Sequence, residues 1–283
     1  MGQQIHWFPG HMNKALNEVE NKVKLVDVVI ELFDARAPLS SINENLGKLT
    51  ANKKKLIVLT KTDLADPEQT KKWGAELSKR FDKVISLDLK KNNAEIILSK
   101  AVMELGKEKH AKEAAKGMKP QPIRTMIIGI PNVGKSSLIN RLAKRKAAGV
   151  QNKPGYTRGE QWIKVNKDFL LLDTPGILPM SYENQKKAAN LALIGAIRED
   201  ILPNEQLGEF LISFLKVHYP DSLNARFGIL EITDRITVLN QISERRKLVT
   251  SVGENDLMRA ESLLLKEFKD GLLGKITLEW YES

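Results

Sequence analysis

The chain has 283 residues, enough for two compact domains at about 150 residues each. Its composition, 42% hydrophobic and 28% charged, is that of a globular protein and excludes a disordered chain as the leading interpretation. It has no Cys and four His, which excludes disulfide scaffolds, thiol catalysis, iron–sulfur clusters and thiolate zinc sites. The net charge of +10 suggests a polyanionic partner.

Short runs rich in Val, Ile and Leu alternate with longer polar stretches, a pattern typical of buried parallel strands between helices. A helix with apolar residues at 16, 19, 23 and 26 leads into the first strand. The last two strands flank the turn-forming cluster at 166–168, which predicts an antiparallel hairpin at the sheet edge. The predicted fold class is therefore α/β with a doubly wound sheet. The six predicted strands are Asp27–Phe33, Leu56–Thr60, Val84–Leu87, Thr125–Ile130, Glu160–Val165 and Phe169–Asp173.

The rest of the chain is predicted to be helical. Lys107–Lys119 is highly charged and is followed by Pro120 and Pro122, so we interpret it as a solvated helix and linker rather than an RNA-binding arm. Beyond Asn184 the strand signal fades and helical spacing takes over. We expect an α/β domain over residues 1–184 and a small all-α domain over residues 185–283.

The segment Gly129–Ser136 matches G-x-x-x-x-G-K-[ST] and stands between a predicted strand and a predicted helix, the context of a phosphate-binding P-loop. Its amides and the helix N terminus would surround phosphate oxygens. Lys135 would reach the outer phosphates, and Ser136 would coordinate Mg²⁺. The predicted nucleotide-binding residues here are Asn132, Val133, Gly134, Lys135, Ser136 and Ser137.

A second phosphate motif, Asp173-Thr-Pro-Gly176, ends the last predicted strand. Asp173 would hold Mg²⁺ through a water molecule, and the amide of Gly176 would face the terminal phosphate. In the loop before it, Thr157 is a candidate second hydroxyl ligand to Mg²⁺, although Thr in a Gly/Pro loop also serves turn formation alone.

Thr60-Lys61-Thr62-Asp63 follows another apolar strand and predicts a guanine site. The Asp63 carboxylate can accept hydrogen bonds from the N1–H and the exocyclic amine of guanine, and the stem of Lys61 can lie along the base. Thr60 and Ser86, at the ends of neighbouring predicted strands, are further candidates for nucleotide binding.

The order of these motifs is unusual, because the base motif precedes the P-loop although in most GTPases it comes last. With HWFPGHMNKA near the N terminus, DAR at 34–36 and GIPNVGKSSLINRL, this order resembles the circularly permuted GTPases of the ribosome biogenesis GTPase A family over nearly the whole chain. The resemblance implies a permuted Ras-like GTPase sheet that hydrolyses GTP to GDP and phosphate in late assembly of the large ribosomal subunit, stimulated by that particle.

The resemblance also implies roles for single residues. Ile177 stands where Ras-like enzymes have the water-orienting Gln, and the family implies that His11 replaces it. His11 could instead belong to a structural loop, as composition alone would favour. The family further implies that Asn132 helps to hold K⁺. Thr60 stands where the family usually has Asn, which would weaken one contact to the P-loop or to guanine, and Ser137 stands where Thr is usual.

The implied partners are the large-subunit precursor and its ribosomal RNA, bound by a cytoplasmic monomer with no membrane partner. Residues 1–202 carry a net charge of +13 and residues 203–283 carry −3, so we expect RNA to bind mainly the nucleotide-binding part. The basic clusters are Lys53–Lys55, Arg141–Lys146 and Lys153–Arg158, with Arg245–Lys247 in the helical part. Each cluster could equally be a solvated surface, and we favour that for Lys53–Lys55. The alternatives are an RNA-binding scaffold with vestigial hydrolysis and a permuted GTPase with another ribonucleoprotein cargo.

Overall fold

The computed structural model of the protein describes residues 10–91, 93–144, 162–172, 174, 176–177, 185–197 and 202–282, without the side chains of residues 10–13 and 144. Six strands form one mixed sheet: β1 (Val28–Asp34), β2 (Lys54–Thr60), β3 (Lys83–Ser86), β4 (Ile123–Gly129), β5 (Trp162–Lys164) and β6 (Phe169–Leu172). Each predicted strand is present, with bounds that differ by one or two residues. The sequence prediction of an α/β sheet is confirmed.

The helices before the last strand are α1 (Gly10–Val23), α2 (Glu44–Leu49), α3 (Pro67–Leu77), α4 (Ala94–Leu105), α5 (Lys107–Ala115) and α6 (Lys135–Lys144). Those after it are α7 (Gln185–Leu193), α8 (Asn204–His218), α9 (Ser222–Phe227), α10 (Arg235–Arg246) and α11 (Leu257–Lys269). All described elements after residue 184 are helices, as the sequence predicts. None of the helices in the described ranges is both long and apolar enough to span a membrane.

The strand order is β3-β2-β1-β4-β6-β5, and every neighbouring pair is parallel except β5 with β6. The P-loop strand β4 therefore lies inside the sheet, between β1 and β6, although it is the fourth strand in chain order. The base-motif strand β2 lies on the other side of β1. This arrangement brings the two motifs to the same edge although they are far apart in sequence.

The strands are apolar because helices cover both faces of the sheet. All seven residues of β1 are buried, as expected for a parallel strand with no solvent face. On one face, Phe33, Ile57 and Leu59 pack with Leu77 of α3. Most of the other buried apolar residues form one large cluster that extends from the sheet into α7, α8, α10 and α11.

The last residues of the chain return to the sheet. The amide of Ile276 donates to the carbonyl of Leu64 at 3.1 Å, and the amide of Leu278 donates to the carbonyl of Arg36 at 2.7 Å. The buried carboxylate of Glu279 accepts a hydrogen bond from the amide of Ser40 at 2.8 Å, and burial raises its pKa. The helical part is thus held by its own C-terminal segment against the loops that follow β1 and β2.

One buried charge in the sheet makes stability depend on pH. Glu31 lies in the middle of β1, and burial raises its pKa to about 7, against the opposing effect of Lys55. Because the folded state holds this proton more tightly than the unfolded chain does, stability falls as the pH rises from about 4.5 to about 7.

We expect Glu31→Gln to increase the free energy of unfolding at pH 8 by up to about 3 kcal/mol, since the amide carries no charge to desolvate. Urea unfolding of both proteins from pH 4.5 to pH 8 measures this. The two curves should converge at the acid end, where Glu31 is protonated in both states. A difference in the free energy of unfolding between the two proteins that does not grow with pH would contradict the raised pKa of Glu31.

Candidate guanine nucleotide site

The candidate site lies at the carboxyl ends of β1, β2 and β4. In the sheet register, Asp34 of β1 is opposite Thr60 of β2, and Leu32 of β1 is opposite Gly129 of β4. The loops that leave these three strands therefore start side by side. In open α/β sheets, ligands bind in the crevice outside the carboxyl ends of the strands.

The P-loop connects β4 to the N terminus of α6. Asn132 and Gly134 both have positive φ angles, 56° and 103°, so the loop turns back before the helix begins at Lys135. A Cβ on Gly134 would lie 3.3 Å from a methyl carbon of Leu89, so this residue also needs to be small. Ser136 and Ser137 are exposed in the first turn of α6. This is the geometry that places helix N-terminal amides toward a phosphate.

Thr60 ties the base-motif strand to the P-loop. Its hydroxyl group lies 2.6 Å from the carbonyl oxygen of Val133 and 3.1 Å from that of Phe33. A hydroxyl carries a single proton, so it donates to these two acceptors in alternation or shares it between them. Thr60 therefore makes a direct contact with the P-loop in the position where the family usually has Asn.

Lys61 and Asp63 follow Thr60 with different partners. Lys61 has a φ of 54°, and its ammonium group lies 3.1 Å from the buried carboxylate of Asp34. Asp63 is partly exposed and pairs with Lys90 at 2.6 Å. This hydrogen bond raises the pKa of Lys90. Guanine would have to replace Lys90 as the partner of Asp63.

The loop after β3 lies against the same site. Ser86 ends β3 with an exposed side chain, and the amide of Leu87 donates to the carbonyl of Leu59 at 2.8 Å. Arg141 of α6 donates to the main-chain carbonyl of Leu89, which places this loop beside the P-loop helix. The role of Ser86 near the base stays a prediction.

The segment expected to sense the terminal phosphate also contacts the P-loop. The amide of Ile177 donates to the carbonyl of Gly129 at 3.1 Å, and a Cβ on Gly176 would lie 3.2 Å from the Cα of Pro131. The side chain of Ile177 is fully buried, so it is packed in the core and does not face a nucleotide. Asn43 donates to the carbonyl of Ile177 at 3.1 Å and links this segment to the loop after β1.

Several predicted residues lie outside the described part of the chain. Thr157 and Asp173, the predicted Mg²⁺ ligands besides Ser136, are among them. His11 lies in the first turn of α1, where the sequence suggested a loop, and its side chain is not described. Asn132 is described, and its amide nitrogen donates to the carbonyl of Gly195 at 2.7 Å, so a K⁺ ion would have to use its side-chain oxygen.

Comparisons with known proteins agree with this geometry. A family model described as "50S ribosome-binding GTPase" matches residues 124–213. The chain is 43% identical over 280 residues to "Ribosome biogenesis GTPase A" of Bacillus cereus, with 99% of this chain and 95% of the relative covered. It is 40% identical to the protein of the same name from Bacillus pumilus, with 99% of each chain covered.

The chain belongs to the ribosome biogenesis GTPase A family. It is also similar in structure to GNP-bound YlqF from T. maritima, with 25% identity, a TM-score of 0.66, and 94% of this chain and 97% of that chain covered. Membership confirms the circularly permuted GTPase fold with C-terminal helices and identifies the protein as a GTP hydrolase. The individual site residues remain predictions.

Three residues outside the motifs, which the sequence did not predict as site residues, contact the loops around the candidate site. Asp34 and Arg36 were noted only as carriers of the family resemblance, and Arg141 only as part of a basic cluster. Asp34 had a usable signal, because a carboxylate that ends a strand beside the base-motif strand lies at the same end of the sheet. Arg36 and Arg141 act through main-chain carbonyls of distant residues, for which the sequence carries no signal.

Thr60→Val tests the link between base motif and P-loop. The change keeps the shape of the side chain but leaves a carbonyl without its donor, so we expect a loss of about 1–3 kcal/mol in stability and about tenfold in GDP affinity. Thr125→Val is the matched control, since Thr125 is a buried β4 residue whose hydroxyl donates to the carbonyl of Leu170 at 2.8 Å. The control should lose similar stability in urea unfolding and keep its GDP affinity by titration calorimetry. Equal losses of affinity in both variants would mean that the Thr60 contact is only structural.

Proposed function

We propose that the protein is a GTPase of ribosome assembly that acts on a late precursor of the large subunit and is stimulated by that particle. The observation that carries the proposal is the convergence of the P-loop, the base motif and the terminal-phosphate segment at one sheet edge, joined by the contacts of Thr60 and Ile177. The name shared by relatives that match nearly the whole chain supports the ribosomal role.

We assign the nucleotide contacts as follows. The amides of the P-loop and the ammonium group of Lys135 bind the phosphates, and Asp63 selects guanine. The exposed hydroxyl of Ser136 is a hard oxygen donor at the helix N terminus, and this chemistry fits Mg²⁺, which prefers oxygen ligands. Thr157 and Asp173 would complete that ion's protein contacts. Bound Mg²⁺ would neutralise charge on the β- and γ-phosphates during hydrolysis.

Hydrolysis needs a group that orients water, and we assign this role to His11. Ile177 is buried in the core and has no polar group, so it cannot replace the Gln of Ras-like enzymes. His11 would enter the site from α1, outside the six strands. An imidazole can position water or take its proton near neutral pH. Asn132 is our candidate for a K⁺ site that supplies further positive charge at the phosphates.

A structural change on GTP binding would reach the helical part through the residues before and after α7. Residues 174–177 precede this helix, and Asn132 of the P-loop binds the carbonyl of Gly195 just after it. We propose residues 1–184 as the GTPase domain and residues 185–283 as the helical domain that reads its state. A change at the terminal phosphate would move α7 relative to the P-loop.

Ribosomal RNA is the proposed binding partner, and we expect the protein to act in the cytoplasm. The Lys53–Lys55 cluster is a poor candidate for RNA, since Lys53 donates to the carbonyl of Val26 at 2.8 Å and Lys55 to that of Gly47 at 3.2 Å. In the helical part, which carries a net negative charge, any contact with RNA would rest on local groups such as Arg245 and Lys247, which are exposed at the end of α10. Binding through such groups should weaken steeply with salt.

Asp63→Asn tests the guanine site. The Asn side chain can donate a hydrogen bond to the carbonyl that xanthine carries in place of the guanine amine, so we expect the preference to shift from GTP to XTP. Asp88→Asn is the control, because Asp88 lies in the neighbouring loop and its carboxylate accepts from the backbone amide of Lys90 at 2.8 Å. Competition between fluorescent GDP and each triphosphate measures the preference. An unaltered preference in Asp63→Asn would place the base elsewhere.

The proposed role is tested by GTP turnover in the presence of purified ribosomal particles. We expect large-subunit precursors to raise the rate of hydrolysis and small subunits to have no effect. His11→Ala should retain GTP binding and lose the stimulated rate by about 100-fold or more, the usual contribution of general acid–base groups.

His110→Ala is the control for His11→Ala. His110 lies on α5 and contacts the carbonyl of Gln121 at 2.9 Å, away from the P-loop. Stimulation by small subunits alone would overturn the cargo assignment. Binding to large-subunit precursors without any stimulated turnover would indicate a scaffold, and full stimulation of His11→Ala would remove His11 from the mechanism.

A further inference from the structure

The carboxylate of Asp34 is buried at the end of β1, directly behind the base motif. One of its oxygens accepts hydrogen bonds from the backbone amide and from Nε of Arg36, both at 3.0 Å. The other accepts from Nη2 of Arg36 at 2.8 Å and lies 3.1 Å from the ammonium group of Lys61. Lys61 is the least buried of the three, with 23% of its side chain exposed, and is the member of this cluster that reaches the candidate base site.

Arg36 uses its remaining N–H groups on the helical part of the chain. Nη1 donates to the carbonyl of Lys269, the last residue of α11, and Nη2 to that of Ile194, the residue after α7, each at 3.2 Å. Carbonyls at helix C termini lack intrahelical donors and carry partial negative charge, so a buried guanidinium is a favourable partner. The Arg36 side chain thus joins the Asp34 carboxylate, behind the base motif, to the ends of two helices.

We propose that Asp34 and Arg36 are positioning residues of the guanine site: Asp34 fixes the Lys61 side chain along the base, and Arg36 fixes Asp34 and makes guanine affinity depend on the placement of α7 and α11. This inference rests on the proposed guanine site. It means that residues outside the base motif hold Lys61 in place. It also means that Arg36 couples the proposed base site to the helical domain.

The physical case begins with the entropy of a lysine side chain. A free Lys samples many rotamers, and fixing it in one costs binding energy when the base arrives. The Asp34 carboxylate holds the ammonium group before the base binds. Burial alone would raise the pKa of Asp34, but Arg36 and Lys61 keep it below its ordinary value, so the charge that holds Lys61 persists through the neutral range.

Arg36 is suited to this task by its geometry. Its planar fork binds both oxygens of Asp34 while its other N–H groups reach two carbonyls in different directions. A Lys side chain could supply the charge but not this set of hydrogen bonds. Displacement of α7 or α11 would remove acceptors from the guanidinium and loosen Asp34, and through it Lys61.

A double-mutant cycle tests the inference on the full chain. GDP affinity is measured for the unaltered protein, Asp34→Asn, Lys61→Met and the double variant. We expect each single change to weaken GDP binding about tenfold and the double variant to be no weaker than Lys61→Met alone, since Asp34 acts through Lys61. Additive losses, or an unchanged affinity in Asp34→Asn, would overturn the proposal.

Arg36→Lys tests the route to the helical part and keeps the proposal falsifiable if Asp34→Asn does not fold. Its control is Arg235→Lys, because Arg235 makes a similar pair of hydrogen bonds to Glu261, at 2.6 and 2.9 Å, within the helical part. Urea unfolding without nucleotide identifies general loss of stability. We expect GDP affinity to fall about tenfold only in Arg36→Lys, and equal effects in both variants would overturn the coupling.

Failure of the proposed guanine site has a different signature. If Lys61→Met leaves GDP affinity intact in a protein that prefers GDP to ADP, the positioning role is wrong and guanine binding stands. If the unaltered protein does not prefer GDP to ADP, both the proposed site and this inference are overturned.

Discussion

The neutralisation of one buried carboxylate organises the candidate nucleotide site. Asp34 ends the inner strand β1, where water cannot solvate its charge, and an unpaired carboxylate there would destabilise the fold. Arg36 and Lys61 supply opposite charges on its two sides. Since Lys61 belongs to the base motif and Arg36 contacts two helix C termini, the electrostatic requirement of one residue fixes the relative placement of three parts of the chain.

The permuted order of the chain connects helix α7 to several parts of the candidate nucleotide site. In the present order, the segment proposed to face the terminal phosphate precedes α7, and the residues just after α7 accept hydrogen bonds from Asn132 and Arg36. The same helix is therefore connected by the main chain to one part of the nucleotide site and by side chains to two others. A shift of α7 would be felt at the phosphates and at the base together.

The sequence was sufficient to predict the strands and the P-loop because both are local signals. Five of the seven residues of β1 are apolar because both faces of the sheet are covered, and the glycine, lysine and serine of the P-loop have fixed spacing. The support of the base motif could not be predicted in this way. Arg36 binds carbonyls 158 and 233 residues away, and backbone carbonyls occur at every position, so the residue types at those acceptors carry no information.

Two carboxylates, Asp63 within the base motif and Asp34 behind it, have opposite roles in the proposed site because their surroundings differ. Asp63 is partly exposed, and its pair with the exposed Lys90 is of the kind that contributes little in water. In the proposed site, guanine would therefore displace Lys90 at small cost and donate its hydrogen bonds to the Asp63 carboxylate. Asp34 is buried with two cations, and removing its charge would leave the buried guanidinium group of Arg36 without a counter-ion. The first carboxylate is available for a ligand, and the second is retained by the protein to hold the groups that meet that ligand.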